Sequence, residues 1–313
     1  MLSFIAKRIL SLIPVILIVS VVVFLLLHLS PGDPAVVIAG DNADAATIER
    51  IRATLGLDQP LMTQFVLWLG SLLRGDLGVS IFSNIPVTDL ILRRLEPTAS
   101  LALTTIFFSI LIAVPLGTIA GATAGSWLDR ALMLISVLGF SIPVFVLGYC
   151  LIYVFSLQLH VLPVQGFTSI RQGIFPFLSN IALPTTTLGL AYLVLIARIT
   201  RASVLEMMGE DFIRTARAKG VKERIVVTRH ALRNSAIPIL TVIGIGVALL
   251  ISGVVVIETV FNIPGVGRLV VDAILKRDYP VIQGVILVFS GVYVLVNLAI
   301  DIGYAFLDPR VRY

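Results

Sequence analysis

The chain has little charge and almost no cysteine. Only 13% of its 313 residues are charged, while 58% are hydrophobic, and both fractions lie far from those of soluble domains. The single cysteine, Cys150, excludes an intramolecular disulfide and lies in an apolar run, where cysteine serves as a small packing residue. The apolar residues are gathered into long uncharged runs, which predicts a membrane protein with several spans.

Motifs for chemistry are also missing. There is no Gly-x-x-x-x-Gly-Lys-Ser/Thr phosphate loop for ATP. The three histidines, His28, His160 and His230, are far apart and form no His-Glu-x-x-His pattern. Ser71, Ser80 and Ser83, in the long segment after the first apolar run, have no histidine in that segment, so an enzyme with an external nucleophile would lack its base. We therefore expect no catalytic residue, no metal site and no cofactor in this chain.

Six apolar runs are long enough to cross a bilayer, and in lipid each must be a helix. They cover Ile9–Leu29, Thr98–Gly125, Ala131–Leu157, Leu178–Ala197, Ala236–Ile257 and Val281–Ile300. The first follows Lys7 and Arg8 but is longer than the apolar part of a signal peptide, so we expect an uncleaved span. No ionisable side chain lies at mid-depth, which argues against an ion-coupled carrier. The fold class predicted is an all-α membrane protein with six transmembrane helices.

Positive charge is concentrated in one loop. Between Arg198 and Arg233 there are nine basic and four acidic residues, which accounts for the formal net charge of +5. Basic loops stay in the cytoplasm, and counting spans outward places both termini there too. The charge therefore reflects membrane topology and predicts no nucleic-acid partner.

The chain divides at the membrane boundaries. We expect a first transmembrane helix in 1–29, an external helical subdomain in 30–97, a five-helix core in 98–306 and a cytoplasmic tail in 307–313. Within the subdomain, apolar residues recur at helical spacing after Asp44 and again after Pro60, and a third helix begins near Pro86. These helices are expected to pack over the outer membrane face. In the second span, Gly117, Gly121 and Gly125 form a small-residue stripe that allows close helix packing.

The basic loop, residues 205–233, has helix signals of its own. Gly209 ends the fourth span, and Glu210 and Asp211 can cap a short helix over Phe212–Lys219 that Gly220 ends. Such a helix, held between two spans, suits a soluble partner that moves both spans together. The alternative is a basic helix lying on anionic lipid.

Several motifs, in this order and spacing, resemble the permease subunits of bacterial ABC importers for dipeptides, oligopeptides, glutathione and nickel. They are Pro31-Gly32-Asp33-Pro34, Leu55-Gly56-Leu57-Asp58-Gln59-Pro60-Leu61, Gly75-Asp76-Leu77-Gly78, Glu210 to Gly220, His230-Ala231-Leu232-Arg233-Asn234, Glu258 to Gly267 and Arg277-Asp278-Tyr279-Pro280. The resemblance covers essentially the whole chain. It implies the type I importer permease fold in the bacterial inner membrane, with a large external loop after span one.

The resemblance also implies a coupling site that docks on an ATPase. The matching residues are Glu210, Asp211, Phe212, Arg214, Thr215, Ala216, Arg217, Ala218, Lys219 and Gly220. Ala216 and Gly220 fit the general Glu-Ala-Ala-x-x-x-Gly motif, whereas Arg214 and Thr215 stand where that motif has Glu and Ala. The implied partners are a second permease, two ATPase subunits that bind ATP and Mg, an external substrate-binding protein and membrane lipid.

The outer end of the fifth span offers a second site. Glu258, Asn262, Pro264 and Gly265 are expected to form an external gate, or else a turn that anchors two helices. Peptide is the expected substrate, with glutathione or a nickel chelate as alternatives. A stand-alone channel or secondary carrier is the rival function from another class.

Overall fold

A computed structural model describes residues 2–29, 35–36, 44–54 and 56–307. The predicted Pro31-Gly32-Asp33-Pro34 motif and residues 308–313 of the predicted tail lie outside these ranges. The boundaries expected at residues 29, 97 and 306 stay predictions.

Helices dominate the described residues, and no strand occurs among them. The main helices are α1 (Leu2–Leu29), α2 (Ala45–Thr54), α3 (Leu61–Leu73), α4 (Val87–Ala122), α5 (Trp127–Ser141), α6 (Val144–Leu151), α7 (Ile174–Met208), α8 (Asp211–Ala218), α9 (Glu223–Ile225), α10 (Leu232–Asn234), α11 (Ala236–Val260), α12 (Val266–Lys276) and α13 (Tyr279–Leu307). The all-α prediction is confirmed.

The predicted spans correspond to five long helices and one bent pair. Among the described residues, α1, α4, α7, α11 and α13 are long and apolar enough to cross a membrane. The third predicted span is broken, because Trp127–Gly139 and Val144–Gln158 meet at 103°. Pro143 stands at the N-terminal cap of α6, and the residue before a proline is driven out of helical geometry. Counted as one broken span, the pair makes six.

Two spans begin earlier than their apolar runs suggest. Helix α4 starts at Val87, 11 residues before the apolar run at Thr98, so the third helix predicted near Pro86 continues without interruption into the second span. Helix α7 extends at both ends of its run and ends at Met208, with Gly209 as its C-terminal cap as predicted. Intrahelical hydrogen bonds thus continue into charged sequence once the apolar segment has fixed the helix.

The chain forms two compact units. One consists of the described residues of Met1–Ile5, Glu96–Gly267 and Leu295–Tyr313, and the other of Ala6–Leu95 and Arg268–Val294. In the first unit, α7 packs against α5, α6 and α11. More than half (56%) of the most apolar stretch of α7 is buried, so this helix forms the centre of that unit.

Two of the three stripe glycines lie directly against α7. A Cβ on Gly117 would stand 2.5 Å from the Ala197 carbonyl oxygen, and one on Gly121 would stand 2.7 Å from that of Arg201. Gly125 differs from the expectation, because it lies after the end of α4 with φ +83° and has no contact within 4 Å of its Cβ position. Its role is to turn the chain, since the left-handed region favours glycine.

An ion pair ties this turn to α7. Ser126 caps α5 by accepting a hydrogen bond from the Asp129 N–H. The Asp129 carboxylate accepts from the Arg201 guanidinium, through Nε and through Nη2 at 2.9 Å, and from the Gly125 N–H at 2.9 Å. Breaking a pair of this kind by removing one partner typically costs about 3–5 kcal/mol when it is fully buried. The side chains are 6% and 20% exposed, so the link between α5 and α7 is largely shielded from water.

Gly117→Ala should lower the melting temperature of the purified protein in detergent, because the new methyl group overlaps the α7 backbone. Overpacking of this kind costs about 1–3 kcal/mol. Gly291→Ala in α13 is the matched control, since nothing lies within 4 Å of that Cβ position. Both variants gain the same helix propensity, so equal melting temperatures for the two would contradict close packing at Gly117.

Candidate coupling site

A short helix, α8, lies between the ends of α7 and α11 in the basic loop. It covers Asp211–Ala218, within one residue of the predicted bounds at each end. Glu210 takes the N-terminal cap position, but its side chain makes no capping hydrogen bond, contrary to the expected role. At the other end Gly220 has φ +77°, and the Val221 N–H donates to the Ala216 carbonyl at 3.2 Å. This is the glycine-closed C-terminal turn that the sequence predicted.

One face of α8 is buried within the loop. Ile213 is fully buried and Ala216 is 9% exposed. These two side chains form a small apolar cluster with residues from both sides of the loop, which are Val204, Met207, Met208, Val221, Val226, Ala231 and Leu232. Burial of one isoleucine side chain stabilises such a contact by about 1.5–3 kcal/mol. The cluster therefore holds α8 to the end of α7 and to the segment that leads into α11.

The opposite face of α8 is exposed. It consists of Asp211, Phe212, Arg214, Thr215, Arg217 and Ala218, followed by Lys219 and Gly220. Phe212 is 39% exposed, although it is a large aromatic side chain. Arg214 pairs with Asp211 at 3.1 Å, but both side chains are mostly in solvent, so the pair adds little stability. Nine of the ten predicted coupling residues are thus accessible, and only Ala216 is buried.

A bidentate ion pair joins α8 to the next segment. Arg217 donates to both carboxylate oxygens of Glu223, at 3.1 and 2.6 Å. The hydrogen bond from Arg217 lowers the pKa of Glu223, and the same contact raises the pKa of Arg217. Because the pKa of Glu223 is lowered, the pair is fully present above the ordinary glutamate pKa and is lost only as the pH falls through the lowered value. At neutral pH the pair stays intact.

The segment after Glu223 has a widened helical turn. Residues Val226–Ala231 form a π-helix between α9 and α10, and such segments often mark functional sites. A cavity of about 610 Å³ separates this segment from α4, with Val114, Thr118, Arg224 and Leu232 among its lining residues. The loop is therefore packed against α7 and α8 but has open space on its α4 side.

The predicted gate residues surround a buried carboxylate. Sequence reasoning placed Glu258 after the fifth span, but α11 extends to Val260 and Glu258 is fully buried in its last turn. Thr98 donates to Glu258 Oε1 at 2.5 Å and accepts from the Val266 N–H at 2.8 Å. A Cβ on Gly265 would stand 2.1 Å from Glu258 Oε1, so glycine is required there for the turn to cover the carboxylate.

The other two gate residues shape this turn. Asn262 adopts φ +52°, a conformation that asparagine tolerates better than most residues. Asn262 and Pro264 are exposed, whereas the residues on either side of Pro264 are buried. The turn thus presents two residues outward above the Glu258 carboxylate.

Sequence reasoning did not identify Thr98, Ile213 or Asp129 as important. Thr98 is separated from Glu258 by 160 positions and Asp129 from Arg201 by 72 positions, so no local pattern links them. Ile213 had a local signal, because it and Ala216 stand three residues apart as small or apolar residues in a charged helix.

Comparisons with known proteins agree with this architecture. Residues 113–313 match the family described as "Binding-protein-dependent transport system inner membrane component", and residues 1–102 match its N-terminal counterpart. The probable peptide ABC transporter permease protein y4tP of Sinorhizobium fredii is 51% identical over 99% of both chains. The glutathione transport system permease protein GsiC of Escherichia coli K12 is 47% identical over the full length of both.

A solved structure shows the same fold. The inward-facing MetNI methionine ABC transporter includes a chain that matches with a TM-score of 0.59 and 18% identity. The match covers 70% of this chain and 96% of that one. A second crystal form gives a TM-score of 0.57 with 19% identity. Family matches across nearly the whole sequence, together with the multi-span helical fold, show that the chain belongs to the binding-protein-dependent transport system inner membrane component family, as a multi-pass membrane permease.

Proposed function

We propose that the chain is one of two permease subunits of an ATP-driven importer and that α8 couples it to an ATPase. The observation that carries this proposal is the burial of Ile213 and Ala216 in one cluster with both flanking segments. A helix held in this way cannot be displaced without displacing its neighbours. The exposed face with Phe212 at its start is then free for a partner.

The contacts of α8 indicate which elements would move with it. Val204 belongs to α7, and Val226 and Ala231 lie on the segment that enters α11. A pull on α8 is therefore transmitted to two membrane spans at once. The space between this segment and α4 allows such a shift without a clash on that side.

The proposed complex has further members that the chain needs for transport. A second, related permease encloses the substrate path, two ATPase subunits bind ATP and Mg, and a binding protein delivers substrate. This chain itself performs no covalent chemistry and holds no cofactor. The basic loop and both termini are placed in the cytoplasm, since nine lysine and arginine residues between Arg198 and Arg233 resist translocation.

Peptide is the proposed substrate class. The relatives cited above are named for peptide and glutathione, and glutathione is itself a modified tripeptide. These names favour a peptide-like solute over a nickel chelate. Membership of the binding-protein-dependent family likewise favours an importer subunit over a stand-alone channel or carrier.

Phe212→Ala should reduce ATP-dependent uptake by more than about tenfold in proteoliposomes that contain the complete transporter. The reason is that truncating an aromatic hot spot at the centre of an interface costs about 2 kcal/mol or more. Membrane insertion of the variant should be unchanged, because Phe212 lies outside the buried cluster. Co-purification of the ATPase subunits with the permease reports the contact directly.

Ile225→Ala is the control for this test. Ile225 is 42% exposed and Phe212 is 39% exposed, and both lie in the basic loop, but only Phe212 belongs to α8. Uptake by Ile225→Ala should remain near wild type. If both variants transported normally, α8 would not be the contact with the ATPase.

The turn at 262–267 is proposed as the external gate, over the buried Glu258 carboxylate. Asn262→Cys, in a Cys150→Ala background, should react with a membrane-impermeant maleimide at rates that differ between the nucleotide-free and ATP-trapped transporter. Val161→Cys, also exposed, should react equally in both states. Identical labelling rates for Asn262→Cys in the two states would argue for a static anchoring turn.

Substrate choice can be measured with the same complete transporter. Labelled dipeptide or glutathione should accumulate in proteoliposomes only when ATP is enclosed with the ATPase subunits. Labelled nickel should not accumulate without a peptide-like chelator. Uptake of free solute by this chain alone, without partner subunits, would contradict the importer proposal.

A further inference from the structure

Helix α3, which the sequence places in the external loop, has the composition of a membrane segment. Its 13 residues, Leu61–Leu73, include no charged side chain. A helix of this length extends about 20 Å, too short for a hydrocarbon core of about 30 Å. Apolar helices of this length are buried in protein or lie at a membrane interface, and contacts and exposure distinguish these two cases.

One face of α3 rests on the first span. The Phe65 and Trp68 rings contact Phe24 of α1, with ring centroids 5.3 and 5.7 Å apart. His28 Nε2 donates to Gln64 Oε1 at 3.0 Å, so α3 is held to α1 by both apolar and polar contacts. These contacts fix the level along α1 at which α3 lies.

Apart from Thr63, the exposed residues of α3 are apolar. Met62 is 73% exposed, Val66 59%, Leu67 62% and Leu73 81%, and no residue of the helix is fully buried. Met62, Val66 and Leu73 lie close together around the helix axis, because they are spaced by four and seven residues. A continuous apolar surface of this kind marks a contact with protein or membrane.

The position of α3 along α1 decides between these partners. Phe24 lies five residues before Leu29, the last residue of α1, which is about 7–8 Å at 1.5 Å per residue. The apolar segment of α1 that can cross the membrane also ends at Leu29. With the hydrocarbon boundary at Leu29, Phe65 and Trp68 lie about 7–8 Å inside it, next to the interfacial zone in which aromatic side chains concentrate in membrane proteins.

The surface of α1 next to α3 is apolar, whereas the surface of α2 is charged. Leu25 and Leu26 of α1, next to the contact, are 36% and 41% exposed, so apolar surface continues from the span onto α3. Helix α2, in contrast, has a Glu49–Arg52 ion pair at 2.8 Å in solvent. Its composition suits water, whereas that of α3 does not.

We propose that α3 lies within the lipid at the membrane boundary, beside the end of α1, with Met62, Val66, Leu67 and Leu73 in contact with acyl chains. The occupant of its exposed face is the phospholipid bilayer, and α2 stays in water. Interfacial helices insert about 5–10 Å into this boundary, which agrees with the depth of Phe24. The external loop is then anchored to the membrane at a second place besides the spans.

Spin labels test this placement in the complete transporter in phospholipid vesicles. Met62→Cys and Val66→Cys, each in a Cys150→Ala background, should show a positive depth parameter, with collisions with oxygen exceeding those with a water-soluble nickel chelate. Glu49→Cys in α2 is the matched control and should show the opposite sign. Preferential access of the nickel chelate at positions 62 and 66 would overturn the proposal. Low access to both reagents there would also overturn it, because it would indicate a protein partner.

Tryptophan fluorescence gives a second measurement that needs no change in α3. The chain has two tryptophans, Trp68 and Trp127, so Trp127→Phe leaves Trp68 as the only one in this subunit. Purified and reconstituted alone in vesicles, this variant should show a blue-shifted emission that brominated acyl chains quench and aqueous iodide does not. Quenching by iodide with no effect of brominated lipid would contradict the placement.

Discussion

The burial of Ile213 is the interaction on which the proposed mechanism depends. Its side chain is fully removed from solvent in a cluster that draws residues from α7, α8 and the segment before α11. The buried side chain packs α7, α8 and the segment before α11 against one another. These three elements, which the chain connects only by short turns, are then expected to move together. Without this contact, α8 would be a charged helix on the surface, and a displacement of α8 would not be passed on to α7 or α11.

Close contacts also hold the rest of α7 in place. Gly117 and Gly121 allow α4 to approach its backbone closely, and the Asp129–Arg201 pair ties the start of α5 to it. Because α7 continues from these contacts to the cluster around Ile213, a displacement at α8 reaches the helix that is packed against most of its neighbours. The physical basis for the proposed coupling is therefore a central helix held by close contacts, with open space on the α4 side of the loop.

Sequence reasoning predicted the helices well because lipid allows few alternatives. A backbone in hydrocarbon must satisfy its hydrogen bonds within the helix, so each long apolar run could be assigned to a span, and Gly209 and Gly220 marked helix ends through their local conformations. The break near Pro143 could not be predicted from hydropathy alone, since a static kink and a sharp break look the same. Contacts such as Thr98 with Glu258 depend on tertiary packing between distant segments, which leaves no periodic signal. Glu210 occupies the N-terminal cap position of α8, but its side chain makes no capping hydrogen bond, so a suitable residue type does not ensure that this bond forms.

The most direct test of the account is a distance measurement by electron paramagnetic resonance in the complete, reconstituted transporter. One pair of spin labels would be placed on Thr215 of α8 and on Arg229 of the segment Val226–Ala231 that leads into α11, and a second pair on Thr215 and the corresponding helix of the second permease. On trapping with ATP, the account predicts that the first distance stays constant while the second shortens. A change in the first distance would mean that α8 moves separately from the segment that leads into α11, and that result would contradict the central claim.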